Sequence, residues 1–167
     1  MIREANKKDS INLAALSIQV WLHTYATDGL RDELSSFVIN EFTEKKFLSY
    51  INHTDYRVLV ATLNDNLVGY VMINLKSYWK DESNGFEIEK LYVQEHFLGM
   101  GLGRKLLSEV INRYGDSFWL STWVENKSGI GFYKHFGFVD VGRIDFRLSE
   151  DEIAENRVLV FRGSNTG

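Results

Sequence analysis

The residues best suited to chemistry in this 167-residue chain lie in one short run, Leu98-Gly99-Met100-Gly101-Leu102-Gly103-Arg104. Three glycines at alternate positions let the backbone turn tightly and leave no side chain in the way. From Leu102 onward, Leu106, Leu107, Val110 and Ile111 recur at helical spacing. A glycine turn that opens a helix aims the free N–H groups of the first helical turn at one point, with the positive end of the helix dipole behind them. The chemistry of such a place is the holding of an anion, here a phosphate or pyrophosphate. Other chemistries lack their residues. There is no cysteine, so no thiolate nucleophile, thiolate metal site or disulfide can form. His23, His53, His96 and His135 show no metal-ligand spacing with acids, and no metal is expected.

Two familiar phosphate loops do not fit the run. A Walker A loop needs Gly-Lys-Ser/Thr, and Gly103 is followed by Arg104-Lys105-Leu106, which places no hydroxyl for Mg²⁺. A dinucleotide fingerprint needs G-x-G-x-x-G, whereas Gly99, Gly101 and Gly103 are each two apart. A tight turn with no ligand remains the simplest reading of the glycines taken alone.

The elements around the run must position it. Met1–Glu4 reads as an edge strand, and Asp9 or Ser10 as the cap of a helix carrying Leu13, Leu16, Ile18 and Trp21. Ala26–Gly29 breaks that helix, and a second is expected over Asp32–Ile51. From Tyr56 the period becomes that of strands: Tyr56–Thr62 and Leu67–Leu75 form a hairpin about Asn64-Asp65-Asn66. Lys76–Gly85 is a polar loop. Glu87–Val93 is a strand leading into the glycine turn and its helix, which stops at Tyr114-Gly115-Asp116. Ser117–Val124 is a further strand. Asn126 caps a helix that ends near Phe136, with Gly137 just past its end. Phe138–Val141 and Ile144–Leu148 make a strand bent at Gly142, Ser149–Glu155 is a polar connection, Arg157–Phe161 closes, and Gly163–Gly167 is a frayed tail. This order implies a mixed α/β fold around one sheet, with strands Glu87–Val93 and Ser117–Val124 parallel or splayed from parallel.

Length and composition set bounds. One domain over residues 1–167 is expected, with a sizeable core. The net charge of −4 gives no basic excess for nucleic acid. No apolar run is long enough to span a bilayer, and the start MIREANKKDS has no signal-peptide core, so a cytoplasmic location is expected.

The sequence resembles the GNAT superfamily of N-acetyltransferases in two blocks. Gly101 and Gly103 match the Q/R-x-x-G-x-G/A signature after the strand ending Leu91-Tyr92-Val93, and Asn126 to Phe138, NKSGIGFYKHFGF, is similar to the N-x-x-A-x-x-F-Y-x-x-x-G-F helix. The signature's leading polar residue is Leu98 here, and the alanine of the second block is Gly129. The closest likeness is to the polyamine acetyltransferase branch.

That resemblance implies a GNAT fold: a central mixed, twisted sheet of about six to seven strands, helices on both faces, and a splayed parallel pair. It implies acetyl-coenzyme A as co-substrate, a small-molecule primary amine as acceptor, and direct attack in a ternary complex. Leu91, Tyr92, Val93, Leu98, Gly99, Met100, Gly101, Leu102, Gly103, Arg104, Asn126 and Tyr133 are the implied coenzyme-binding positions. Tyr133 matches the tyrosine that protonates the departing thiolate, and Glu89 matches the proposed base. Glu87 shares a strand face with Glu89 by alternation. Trp21, Tyr25, Glu87 and Trp123 are candidates for the acceptor wall, where aromatic faces suit a cationic chain. Two other readings stay open: acetylation of a protein N-terminus or lysine, and an acyl-coenzyme A-binding regulatory domain without turnover. A homodimer is also left open.

Overall fold

A computed structural model of the chain describes residues 1–163; the tail read at Gly163–Gly167 lies outside them from residue 164 on. Seven strands form one sheet: β1 (Ile2–Glu4), β2 (Tyr56–Leu63), β3 (Asn66–Asn74), β4 (Phe86–Val93), β5 (Ser117–Trp123), β6 (Val139–Arg147) and β7 (Ile153–Arg162). Their order across the sheet is β1-β2-β3-β4-β5-β7-β6. Neighbours are antiparallel except β4 and β5, the expected parallel pair. The described residues also form five α-helices: α1 (Ser10–Tyr25), α2 (Asp32–Glu41), α3 (Glu44–Asn52), α4 (Leu102–Tyr114) and α5 (Lys127–Phe136).

Strand alternation sorts the core into two layers. Leu59, Ala61, Val71 and Ile73 face α4 and α5, where Leu106, Leu107, Val110 and Phe138 meet them. Val58, Val60, Tyr70 and Met72 face the other way, onto Leu13, Leu34, Val38 and Phe47 of the first three helices. Tyr70 is fully buried, and its hydroxyl is satisfied by Ser17 Oγ at 2.6 Å.

Three local features differ from the expectation. The helix expected over Asp32–Ile51 is two helices, because the chain leaves helical geometry at Phe42–Thr43 and the Thr43 hydroxyl accepts from the Lys46 N–H to start α3. Strand β7 begins at Ile153, inside the stretch read as a polar connection, and Ile153–Glu155 pair with Asp145–Arg147 at the exposed end of a hairpin. Strand β4 carries a bulge. Lys90 pairs with Met72 and Ile88 with Ile73, which leaves Glu89 as the extra residue.

Candidate active site

The parallel pair is short. Only Phe86 opposite Phe118 and Glu87 opposite Trp119 are paired, and the strands then diverge. From Ile88 to Val93 the β5-facing edge of β4 has no strand partner among the described residues, so backbone groups that a sheet would occupy are left for something else. A cleft of about 760 Å³ opens there, between the glycine turn, β4, α5 and the end of α1.

The glycine turn forms the outer end of this cleft. Gly99 and Gly101 both have left-handed backbones, with φ of 82° and 78°. Gly101 caps α4 without a side chain, and the first turn holds no acidic residue. Lys105 N–H donates to the Gly101 carbonyl, but the N–H groups of Leu102, Gly103 and Arg104 have no acceptor among the described residues. A Cβ at Gly99 or Gly101 would meet open space, and one at Gly103 would stand 3.1 Å from Phe132 Cζ. Gly103 therefore lets α4 pack against α5, while Gly99 and Gly101 shape the cradle. This donor set fits a pyrophosphate without side-chain help. The Arg104 guanidinium lies 5.2 Å over the Phe136 ring, and Arg104 lines the cleft. Leu98 and Met100 are exposed; Leu98 lines the cleft and Met100 does not.

The inner walls come from three elements. Leu91 and Val93 of β4 line one side, and Tyr92 points to the opposite face among the core of the first three helices. Helix α5 supplies Gly129, Phe132 and Tyr133. Its cap, Asn126, accepts from the Gly129 N–H at 3.2 Å through Oδ1 and donates to Thr122 Oγ1 at 3.0 Å through Nδ2. Burial pushes the Tyr133 phenol well above its ordinary range, and the nearby Tyr25 adds to the shift. Tyr133 therefore keeps its proton at any physiological pH and can only donate it.

The third wall was not anticipated. Gln19, Val20, His23 and Thr24, from the last turns of α1, line the cleft, and His23 Nδ1 lies 3.4 Å from Glu95 Oε2. The sequence marks His23 as a candidate for the acceptor wall beside Trp21 and Tyr25, but nothing in the local sequence marks Gln19, Val20 and Thr24, because the pairing of α1 with the turn after β4 is purely tertiary. Lys127 and Ser128 also line the cleft, and their place in the first turn of α5 could have been read from the Asn126 cap.

Glu87 and Glu89 flank Ile88, which packs into the layer of α4 and α5, and Glu89 is itself the bulge residue. Ser77 Oγ donates to Glu87 Oε1 at 2.7 Å, and burial raises the Glu87 carboxyl above its usual range. Glu89 does not line the 760 Å³ cleft, and its Oε2 is buried without a hydrogen-bond partner. Beside it, Lys90 Nζ lies 5.9 and 5.8 Å over the rings of Phe42 and Tyr50, and burial lowers its pKa. The Tyr56 phenol is pushed up to about 12, by burial first and then by the Glu89 charge.

Trp21, Tyr25 and Trp123 come together, but on one another. Tyr25 stacks on Trp21 at 4.3 Å and on Trp123 at 4.9 Å, so both of its faces are covered. A second cleft, of about 420 Å³, lies on this side of the sheet between α2 and the β6–β7 turn. Asp32, Glu33, Phe37, Glu41, Lys46 and Leu148 are among its lining residues. Phe42, the residue after Glu41, has Lys90 Nζ of β4 5.9 Å over its ring, so this cleft lies near the underside of β4. Among the described residues no group of three His, Asp or Glu side chains is placed to hold a metal ion, and no helix is long and apolar enough to cross a membrane.

Comparison with known proteins agrees with this geometry. An N-acetyltransferase of Lactobacillus delbrueckii subsp. lactis, described as uncharacterized and in the pepI 3′ region, is 24% identical over 157 residues, 90% of each chain. The crystal structure of PaiA N-acetyltransferase from Thermoplasma acidophilum in complex with coenzyme A superposes with a TM-score of 0.75 at 19% identity, covering 94% of this chain and 96% of that one. Arabidopsis thaliana NAA60 in complex with a bisubstrate analogue gives 0.71 at 18% identity, over 96% and 97% of the two chains. At these identities the structural likeness speaks for the fold. The model of the Acetyltransferase (GNAT) family matches residues 25–138, from the end of α1 through the glycine turn to the end of the α5 block. The chain belongs to the GNAT family of acetyl-coenzyme A-dependent N-acetyltransferases.

Proposed function

We propose that this N-acetyltransferase moves the acetyl group of acetyl-coenzyme A to a small polyamine-like primary amine, by direct attack while both substrates are bound. The observation that carries the reading is the divergence of β4 from β5 beside a side-chain-free helix N-terminus. The pyrophosphate rests on the N–H groups at Leu102–Arg104, and the pantetheine amides meet the open edge of β4 near Leu91 and Val93. Asn126 fixes the start of α5 beside them.

Three tasks then fall to the chain. The amine must lose a proton, because a lysine-like amine has a pKa of about 10.4. Glu89, with its unpartnered buried oxygen, is the group assigned to take that proton, directly or through water. The amine nitrogen attacks the thioester carbonyl, and a β4 N–H near Leu91 meets the developing oxyanion. The C–S bond breaks, and Tyr133 gives its proton to the departing thiolate. With no cysteine in the chain, no acyl-cysteine intermediate intervenes.

The acceptor reading rests on charge. The second cleft presents Asp32, Glu33 and Glu41 against a single lysine, Lys46, which is already bonded to Glu41 at 3.0 Å. A flexible chain with several ammonium groups suits such a surface. Thiol release from acetyl-coenzyme A, with spermidine, lysine peptides, N-terminal peptides and aminoglycosides compared side by side, tests it. The expected result is the highest kcat/KM with spermidine. A peptide as the best acceptor would replace the polyamine reading with protein acetylation. Coenzyme binding without release to any amine would leave a binding domain.

A further inference from the structure

Leu98 is 59% exposed, in the connection that leads from β4 into α4. Its backbone is anchored: the Leu98 N–H donates to the Glu95 carbonyl at 3.2 Å and closes the short turn Glu95–Phe97. Gly99 follows in the left-handed conformation. A single exposed leucine is ordinary on a protein surface. This one is set apart by where it stands. It lines the cleft of about 760 Å³, together with the partly buried apolar residues Val20, Val93 and Phe97. Met100, 53% exposed two residues on, does not line the cleft.

The order of groups along this wall matches the order of groups along coenzyme A. The N–H groups of Leu102, Gly103 and Arg104 suit the pyrophosphate, and the open edge of β4 at Leu91 and Val93 suits the pantetheine amides. Phe97 and Leu98 lie in the connection between those two places. In the coenzyme, the segment between the pyrophosphate and the first amide is the pantoate unit. Its carbon bearing two methyl groups is separated from the phosphate ester oxygen by a single CH₂. A leucine side chain offers nothing to a phosphate oxygen, but two methyl groups beside it would take its apolar surface out of water.

We propose that Leu98 is a coenzyme-binding residue that packs against the dimethyl carbon of the pantoate unit, an apolar contact at the position where the family signature has a polar residue. The inference rests on reading the cleft of about 760 Å³ as the acyl-coenzyme A site. It makes the contribution of this position depend on apolar area removed from water and not on charge or hydrogen bonding.

The test measures dissociation constants for coenzyme A, phosphopantetheine and ADP by calorimetry. Phosphopantetheine keeps the pantoate unit and lacks adenosine, and ADP keeps the pyrophosphate and lacks the pantoate unit. Leu98→Ala and Leu98→Asn, the second close to leucine in size but polar, are each expected to weaken coenzyme A and phosphopantetheine by about tenfold and to leave ADP within about twofold of wild type. Leu98→Met, which keeps the apolar contact, is expected to stay within about twofold for all three ligands. The heat-capacity change of coenzyme A binding should become less negative in Leu98→Ala. Unchanged coenzyme A affinity in both Leu98→Ala and Leu98→Asn overturns the inference while leaving the coenzyme site intact. An equal loss for ADP overturns it too, because the contact would then lie on the adenosine or the pyrophosphate. Failure of wild type to bind coenzyme A at all overturns the site assignment and the inference with it. Because Leu98 is exposed, its variants are expected to fold as wild type does, which thermal denaturation checks.

Discussion

Asn126 and Gly129 are fitted to each other. The Asn126 carboxamide caps α5 by accepting from the Gly129 N–H at 3.2 Å, and a Cβ on residue 129 would stand 2.4 Å from Asn126 Nδ2. The glycine that replaces the family's alanine is thus matched to this orientation of the cap. Alanine at 129 would gain about 1 kcal/mol of helix propensity and lose about as much by displacing the cap. Gly129→Ala is therefore expected to leave stability nearly unchanged in the wild-type background. In an Asn126→Ala background, where no cap remains to displace, the same change should stabilise by about 1 kcal/mol. Chemical denaturation of the four proteins measures the coupling, and equal effects in both backgrounds would contradict it.

Tyr133 is expected to act in turnover and not in coenzyme binding. General acid catalysis contributes about 10²–10⁴-fold, so Tyr133→Phe should lower kcat by that order while the dissociation constant for coenzyme A stays within about twofold. Because burial raises the phenol's pKa, the proton it donates is lost only above its ordinary value of about 10. The wild-type rate should then rise with pH as the amine deprotonates and show no fall below about pH 10. Unchanged turnover in the variant would remove the general-acid role.

The glycine cradle can be separated from simple backbone strain. Gly101 and Gly115 stand at the two ends of α4 with φ of 78° and 119°. Alanine in the left-handed region costs about 1–2 kcal/mol per residue. Gly101→Ala and Gly115→Ala should both lower stability, but only Gly101→Ala should weaken coenzyme A binding, by about tenfold. Isothermal titration with both variants checks this, and equal affinities would mean that the turn has only a structural role.

Much of this was readable from residues alone, and the failures have physical causes. The strands, the α4 and α5 blocks and the parallel pair follow from periodicity and turn chemistry, which are local. The break at Phe42–Thr43 was hidden because Leu34, Val38 and Phe42 keep a helical spacing right up to it and apolar Phe47 and Leu48 follow closely, although Thr43 followed by Glu44 is a cap signal. The start of β7 was hidden because Ile153–Glu155 lie at an exposed hairpin end, where polarity matches that of a loop. The bulge at Glu89 shows only in the burial pattern: Ile88 and Leu91 face the same layer three residues apart where a regular strand would use two. The α1 wall of the cleft depends on long-range packing and left no local mark.

Asp9 provides a pH test of the frame that carries α1. Its carboxylate accepts from Arg3 Nη1 at 2.8 Å, Arg3 Nη2 at 3.0 Å and the Asn6 N–H at 2.7 Å. The Arg3 bond holds its pKa below the usual value, and burial opposes this. A depressed carboxyl pKa contributes stability above the unfolded value of about 3.9, and that contribution is lost as pH falls through the folded value. Asp9→Asn should cost about 1–2 kcal/mol at pH 7, and the gap to wild type should close below about pH 4. A gap independent of pH would show that the charge on Asp9 is not what stabilises the turn.

Initial rates of thiol release, taken over a matrix of acetyl-coenzyme A and spermidine concentrations, test the central claim most directly. Direct attack with both substrates bound predicts reciprocal plots that converge, and N-acetylspermidine formed in equal amount to free coenzyme A. Parallel lines would require an acetylated enzyme intermediate, and coenzyme release without acetylated amine would contradict amine acetylation itself.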